Sequence, residues 1–234
     1  MKKQYISFGP SAGICNRIKR FFTALRFEIN RSQPIDFYWS HSELVNHNFY
    51  ELFEFSSYQV NEIFCTDKVH DRDKEEVGAN NVWRLLVEKD ELTKGFTRAF
   101  KKDDENKEYI DLEYERIPIQ VRKHYLEYFE QLKPSIYVRE RMEKGIKLPD
   151  HCVGVHIRAG RFWNEYGRGN RNSIDQFINI MKQFPEDTLF FLAAADEMVS
   201  VKVNHEFPGR IIELENKSYT DSIDAVAELY LLGQ

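Results

Sequence analysis

The feature that most restricts the fold is the order of signals in the first forty residues. Gln4 to Phe8 is a short apolar run that breaks at Gly9-Pro10-Ser11-Ala12-Gly13, a strand followed by a turn. Ile14, Ile18, Phe21, Phe22, Leu25 and Ile29 then recur at helical spacing, with Arg17, Lys19, Arg20 and Arg26 between them. An amphipathic helix therefore starts at the turn, and Pro34 to Trp39 reads as a second strand. Strand, glycine turn, helix and strand form one right-handed crossover unit of an α/β sheet.

The stretch from about Thr66 to Lys147 has another character. It is charge-dense, with the runs His70-Asp71-Arg72-Asp73-Lys74-Glu75-Glu76 and Lys101-Lys102-Asp103-Asp104-Glu105, and it reads as helices and loops with solvated faces. Val121, Tyr125, Leu126, Phe129 and Leu132 supply one helical stripe, closed by Pro134. After Leu148-Pro149 the alternating pattern returns. Cys152 to Ile157 is a strand, and a polar segment runs from Arg158 to Asn172. Ser173 to Phe184 is a helix whose Ser173 and Gln176 have capping-box spacing. Thr188 to Ala195 is a strand of the buried type and Arg210 to Leu214 another, with a short helical stretch around Val199 and Val203 between them. Asp221 caps a last helix carrying Ile223, Val226, Ala227, Tyr230 and Leu231. Two α/β units joined near residues 134 to 150 predict two Rossmann-like domains, 1–140 with the charged helical insertion and 150–234.

Composition removes several function classes. A net charge of −5 and a pI near 5.9 give no global attraction to nucleic acid or to an anionic membrane. No apolar stretch approaches the roughly 18 residues of a membrane span, and the start Met1-Lys2-Lys3 lacks the apolar run of a signal peptide. Cys15, Cys65 and Cys152 are odd in number and far apart, as reduced intracellular thiols are, so a cytoplasmic location is expected.

In open α/β sheets a ligand lies beyond the carboxyl ends of the strands, and three such ends carry chemistry here. At Gly9 to Arg17 a glycine turn meets a helix N-terminus, whose free N–H groups and positive dipole end suit an anion. No Lys-Ser or Lys-Thr follows Gly13, so this is not a Walker loop; a turn that only connects two elements is the plainer alternative. At His156-Ile157-Arg158 the period of two puts His156 and Arg158 on one side and Ile157 toward the core. An Arg there can fork onto a pyrophosphate beside a donating imidazole. Arg161, Arg168 and Arg171 follow in the same loop; a solvated loop with His156 satisfied by backbone is the plainer alternative. At Asp196-Glu197 a carboxylate can accept from a ribose hydroxyl or a base N–H, or simply cap the next helix. Asp71-Arg72-Asp73 has the letters of a metal-binding pair without the hydrophobic strand before it, and no Cys/His cluster has metal spacing. No metal site is expected.

The ordered set of motifs resembles the GT-B fucosyltransferases, in the style of NodZ-like α-1,6- and protein O-fucosyltransferases. Gly13-Ile14-Cys15-Asn16-Arg17 is similar to their Gly-x-x-Asn turn followed by Arg or Gln. His156-Ile157-Arg158 resembles their His-x-Arg motif, Phe191 to Asp196 their strand ending in an acid, and Ala227 to Gln234 their Asp-Leu-Tyr-x-Leu-Gly-Gln helix. The motifs occur in family order over nearly the whole chain. The resemblance implies a GT-B arrangement of the two Rossmann-like domains, the first on the acceptor side, the second binding the nucleotide sugar and incomplete. It implies a metal-independent, inverting transfer of fucose from GDP-β-L-fucose to a glycan or protein acceptor, with no cofactor besides the donor. Carried over residue by residue, Arg158 would hold the β-phosphate and stabilise charge on departing GDP. His156 would contact the nucleotide, Asp196 the guanosine, and Glu228 the guanine N–H groups. Gly13, Asn16 and Arg17 would line the cleft near the phosphate and acceptor, with Asn16 and Arg158 as the catalytic pair.

Three departures from the family pattern are visible. Ala159-Gly160-Arg161 stands where the family often has Arg-Gly-Asp after His-x-Arg, so Glu165 is only a stand-in for the missing acid and no general base is assigned. Glu228 replaces the usual Asp. The family continues past Gly-Gln into a strand and a Ser-Ser-Phe-type turn that binds phosphate, so the chain reads as C-terminally shortened: a fragment, a shortened gene product or an inactive relative. The competing readings are a transferase with another donor, such as a nucleotide-linked rhamnose, and a degenerate domain that binds glycans or partner proteins. The acceptor is not readable, since variable loops would build its site.

Overall fold

In a computed structural model, which describes residues 4–7, 13–28, 34–40, 42, 45–66, 80–81, 100–104, 107–110, 122–158 and 173–234, the first strand lies inside its sheet. Strand β1 (Gln4–Ser7) pairs in parallel with β2 (Ile35–Ser40) on one side and with β7 (Lys107–Ile110) on the other. Strand β4 (Val60–Thr66) adds in parallel outside β2. On the far side β6 (Phe100–Asp104) and β5 (Asn80–Asn81) continue antiparallel, giving the order β4-β2-β1-β7-β6-β5. The chain thus leaves β1 toward β2 and later returns to the opposite neighbour, which places a topological switch at the carboxyl end of β1.

The reading of residues 66–147 as helices and loops is corrected at these last strands. Lys101, Lys102 and Asp104 belong to β6, in register with Tyr109, Glu108 and Lys107 of β7. This charge-rich segment is paired on both sides, second from the edge of its sheet. Density of charge is therefore a poor guide to backbone state here. The Asp71 and Asp73 pair lies outside the described residues.

Helix α1 (Ile14–Glu28) lies against β1, β2 and α3 (Arg122–Gln131). Its Phe21 packs edge-on to Phe37, Phe49 and Phe55 with ring centroids 5.0, 5.4 and 5.1 Å apart. Such separations add tilted-ring attraction to apolar burial. Phe49 begins the short α2 (Phe49–Leu52), capped by Asn48 and Glu51 in a capping box. From there β3 (Phe53–Glu54) pairs antiparallel with β8 (Lys133–Pro134), and the Ser135 amide bonds the Leu52 carbonyl at 3.1 Å. Of the expected stripe on α3 and beyond, Tyr125 and Leu132 are buried beside Tyr128, whereas Leu126 and Phe129 are exposed; Val121 lies outside the described residues.

The chain divides into two compact units, Met1–Ser135 and Ile136–Gln234. The second is built on three parallel strands in the order β11-β10-β9: β9 (Cys152–Ile157), β10 (Leu189–Ala194) and β11 (Ile211–Ile212). Helix α4 (Ile136–Gly145) opens this unit, α5 (Ile174–Met181) joins β9 to β10, and α6 (Glu197–Glu206) joins β10 to β11. Helix α7 (Ser222–Leu231) closes it and packs on α4. Ser173 and Gln176 form the expected capping box, and Asp221 caps α7 through Ile223 N at 2.7 Å. The apolar β10 sends Phe190, Leu192 and Ala194 into a core with Ile178, Val199 and Phe207. No helix among the described residues is long and apolar enough to cross a membrane. The α/β class stands as expected, the first sheet being mixed and that of the second unit parallel.

Candidate functional site

The carboxyl ends of β9 and β10 are level. Their register runs from Cys152↔Leu189 to Ile157↔Ala194, and one residue further the Ala195 amide still bonds the Ile157 carbonyl at 3.0 Å. The two strands therefore release Arg158 and Asp196 side by side at one edge of the sheet. Ile157 is fully buried in the core while His156 and Arg158 are exposed, the alternation that the strand period requires.

His156 lies on the face of β9 that meets α7. Two residues before it, a Cβ built on Gly154 would stand 3.0 Å from Leu232 Cδ2, so the end of α7 reaches this same face. Burial pushes the His156 imidazole below its ordinary value, and the Arg158 cation adds to that shift. The ring is exposed on one side yet crowded enough by protein to lose hydration, so at neutral pH it is an uncharged donor–acceptor beside a fixed cation.

Asp196 is the N-cap of α6. Its Oδ1 accepts from the Val199 amide at 3.0 Å. Both uses foreseen for this residue remain compatible, because a carboxylate has two oxygens and the cap engages one. Glu228 has the same arrangement on α7. Its Oε1 accepts from Lys217 Nζ at 2.8 Å, and among the described residues nothing bonds its Oε2. Lys217 also reaches the carbonyl of Ala194, the last residue of β10, at 3.5 Å. That contact brings Glu228 to the strand ends of Arg158 and Asp196. His156, Arg158, Asp196 and Glu228 are thus gathered at one edge of the second unit.

Lys217 was not among the residues singled out from sequence. It is nearly enclosed, its side chain 6% exposed, between Glu228 and Glu213, whose Oε1 is 3.2 Å away. Burial alone would lower its pKa; the Glu228 and Glu213 carboxylates outweigh that and hold the ammonium above its ordinary value. Glu213 is held in turn through Oε2 by Ser200 Oγ at 2.5 Å and Asn204 Nδ2 at 2.8 Å, both from α6. Nearby, Arg141 of α4 binds Asp224 through Nε and the Glu215 carbonyl at 2.7 Å, while Asp224 Oδ2 accepts from the Ser218 amide at 2.6 Å. This second pair joins α7 to α4.

In the first unit Gly13 starts α1, its carbonyl accepting from the amides of Asn16 and Arg17 at 3.1 and 3.2 Å. A Cβ at Gly13 would meet nothing within 4 Å, and Asn16 is partly exposed. Arg17 is different. Its side chain is fully buried, with Nη2 on Ser42 Oγ at 2.7 Å and the guanidinium 5.7 Å from the Trp39 ring centroid. Gly9 to Ala12, Arg161, Glu165, Arg168 and Arg171 lie outside the described residues. Among those described, no three His, Cys, Asp or Glu side chains are grouped to hold a metal ion.

No protein-family model matches the sequence, and no curated protein does. Solved structures do match in fold. A fucosyltransferase NodZ from Bradyrhizobium aligns over 99% of this chain and 86% of its own, with 17% identity and a TM-score of 0.58. NodZ α-1,6-fucosyltransferase soaked with GDP-fucose gives a TM-score of 0.57, and the form co-crystallised with GDP gives 0.58, each at 17% identity over 99% of this chain and 85% of that one. The chain has their fold.

Proposed function

We propose that the chain is a glycosyltransferase that moves L-fucose from GDP-β-L-fucose to a hydroxyl of a glycan or protein acceptor, with inversion and without a metal ion. The observation that carries this reading is the gathering of Arg158, His156, Asp196 and Glu228 at one sheet edge, in a chain whose fold is that of the NodZ fucosyltransferases. In the reaction the acceptor oxygen bonds to C1 of fucose as the bond from C1 to the β-phosphate oxygen breaks. Negative charge grows on the departing diphosphate, and a guanidinium held at a strand end stabilises it most where it grows most. Arg158 takes that role. His156, neutral and adjacent, donates to a phosphate oxygen. Asp196 accepts from the nucleoside through the oxygen its helix cap leaves open, and Glu228 accepts from the base.

Gly13 and Asn16 take the acceptor-side role in the first unit, and Arg17, being enclosed, supports the helix that carries Asn16. No base for the acceptor proton is assigned among the described residues. The reading places the reaction in the cytoplasm, with glycan synthesis as its setting.

Calorimetric titration of the full chain with GDP, UDP and ADP tests the reading. GDP is expected to bind best, and Arg158→Ala is expected to weaken it by about tenfold or more, the worth of a charge-assisted contact. Failure of GDP to bind at millimolar concentration would sink the fucosyl-donor assignment. A preference for UDP would transfer it to another nucleotide sugar.

A further inference from the structure

The carboxylate assigned to the base is not a free side chain, and the group that holds it is the most enclosed lysine of the site. Lys217 touches Glu228, Glu213 and the end of β10 at once, and it reaches them because the chain reverses at Asn216, which takes a left-handed backbone with φ of 50°. Asparagine tolerates that conformation better than most residues. Ser200 and Asn204 fix Glu213 from the other side.

We infer that Lys217 is a positioning and specificity-determining residue for the nucleotide base: it holds Glu228 through Oε1 and leaves the other carboxylate oxygen open to an N–H donor. The inference rests on the assignment of Glu228 to the base and adds to it the reason that a half-buried acid can serve as an acceptor. A base with a ring N–H and an exocyclic amino group on one edge, as in guanine, offers donors to such an oxygen. Adenine has an unprotonated ring nitrogen at the corresponding position, which a carboxylate repels. Discrimination therefore requires that the open oxygen of Glu228 act as an acceptor.

The forces on that charge are unequal. Burial pushes the Glu228 carboxyl up, and Glu213 and Asp224 add like-charge repulsion; Lys217 opposes them, so that the carboxyl lies above its ordinary value by less than it otherwise would. Without the ammonium, every influence that remains favours the neutral acid, whose oxygens no longer attract a donor over an acceptor. The contribution of Lys217 is therefore to base choice, while the grip on the diphosphate belongs to Arg158.

The experiment is a titration of the full chain and its variants with GDP and ADP. Lys217→Met is expected to lower GDP affinity about tenfold, the size of one charge-assisted hydrogen bond, with ADP affinity changed by less than about twofold. Lys217→Arg, which keeps the charge, is expected to retain most of the preference for GDP. In a Glu228→Gln background Lys217→Met is expected to change the preference no further, since the two act as one unit. Should Lys217→Met fail to fold because Glu213 and Glu228 are left together, Lys217→Met with Glu213→Gln removes one of the two charges and is read the same way. A GDP preference that survives the loss of Lys217, or GDP and ADP affinities that fall together, overturns the inference and leaves the proposed function standing. Absence of any GDP-over-ADP preference in the unaltered chain overturns the assignment of Glu228 itself.

Discussion

The guanidinium of Arg17 lies 5.7 Å from the centroid of the Trp39 ring and donates to Ser42 Oγ, with no part of the side chain exposed. A cation so enclosed is held by the ring face and by fixed acceptors, and its planar fork suits both. Arg17→Ala is expected to destabilise the first unit by about 3 kcal/mol, in the range for truncating a large buried side chain. Arg17→Lys is expected to recover little of that. Urea unfolding monitored by tryptophan fluorescence measures both, and a midpoint unchanged by Arg17→Ala would refute the supporting role.

The helix cap made by Asp196 and the nucleotide contact proposed for it can be separated. Asn can still accept from the Val199 amide, whereas Ala cannot. Asp196→Asn is expected to hold the melting temperature close to that of the unaltered chain while weakening GDP binding. Asp196→Ala is expected to do both, with a stability loss of about 1 kcal/mol. Equal GDP affinity in all three proteins would remove Asp196 from the nucleotide site.

The Arg141–Asp224 pair joins α4 to α7 with side chains 21% and 10% exposed. Removing one member strands the other in a poorly hydrated place, so Asp224→Ala is expected to cost about 3 kcal/mol. Replacing both, as Arg141→Met with Asp224→Leu, is expected to return part of that loss. Thermal unfolding of the single and double variants decides, and a single variant as stable as the unaltered chain would contradict the picture.

His156 gives a pH signature. Its folded pKa lies below the ordinary 6.5, so the unfolded chain binds the proton more readily. The His156 contribution is therefore neutral above pH 6.5, and stability is lost as pH falls below that value toward the folded pKa. His156→Gln should flatten the unfolding midpoint across this window. A bound diphosphate reverses the local field and raises the imidazole pKa, so GDP binding near pH 6 should take up protons. Titrations in buffers of different ionisation enthalpy report that uptake, and identical heats in every buffer would rule it out.

Much of the second unit is legible from local chemistry. Cys152 to Ile157 is a strand by its apolar alternation, Ser173 and Asp221 announce their helices, and Asp196 closes an apolar run where a cap is needed. What escaped reading is set by distance along the chain. Lys217 looks like an ordinary surface lysine until the turn at Asn216 folds it back between Glu213 and, eleven residues on, Glu228. Strands β5 to β7 were hidden because β7 pairs with β1, far away in the chain, and runs such as Lys101-Lys102-Asp103-Asp104 leave no periodic apolar signal. The burial of Arg17 did leave a trace: it is spaced four and eight residues from Phe21 and Leu25, the stripe that α1 turns to the core. A positive charge masked that periodicity.

The two carboxylates at the sheet edge, Asp196 and Glu228, each have one oxygen engaged by the protein before any ligand arrives. Their rotamers are chosen during folding, so the side-chain entropy that a flexible acid loses on binding, about 0.5–1.5 kcal/mol apiece, has already been lost. Under the proposed function, a nucleotide meeting them gains its bonds without that penalty. An unanchored acid of the same charge at either position would bind more weakly while making the same contacts, and the difference would appear in the entropy of binding.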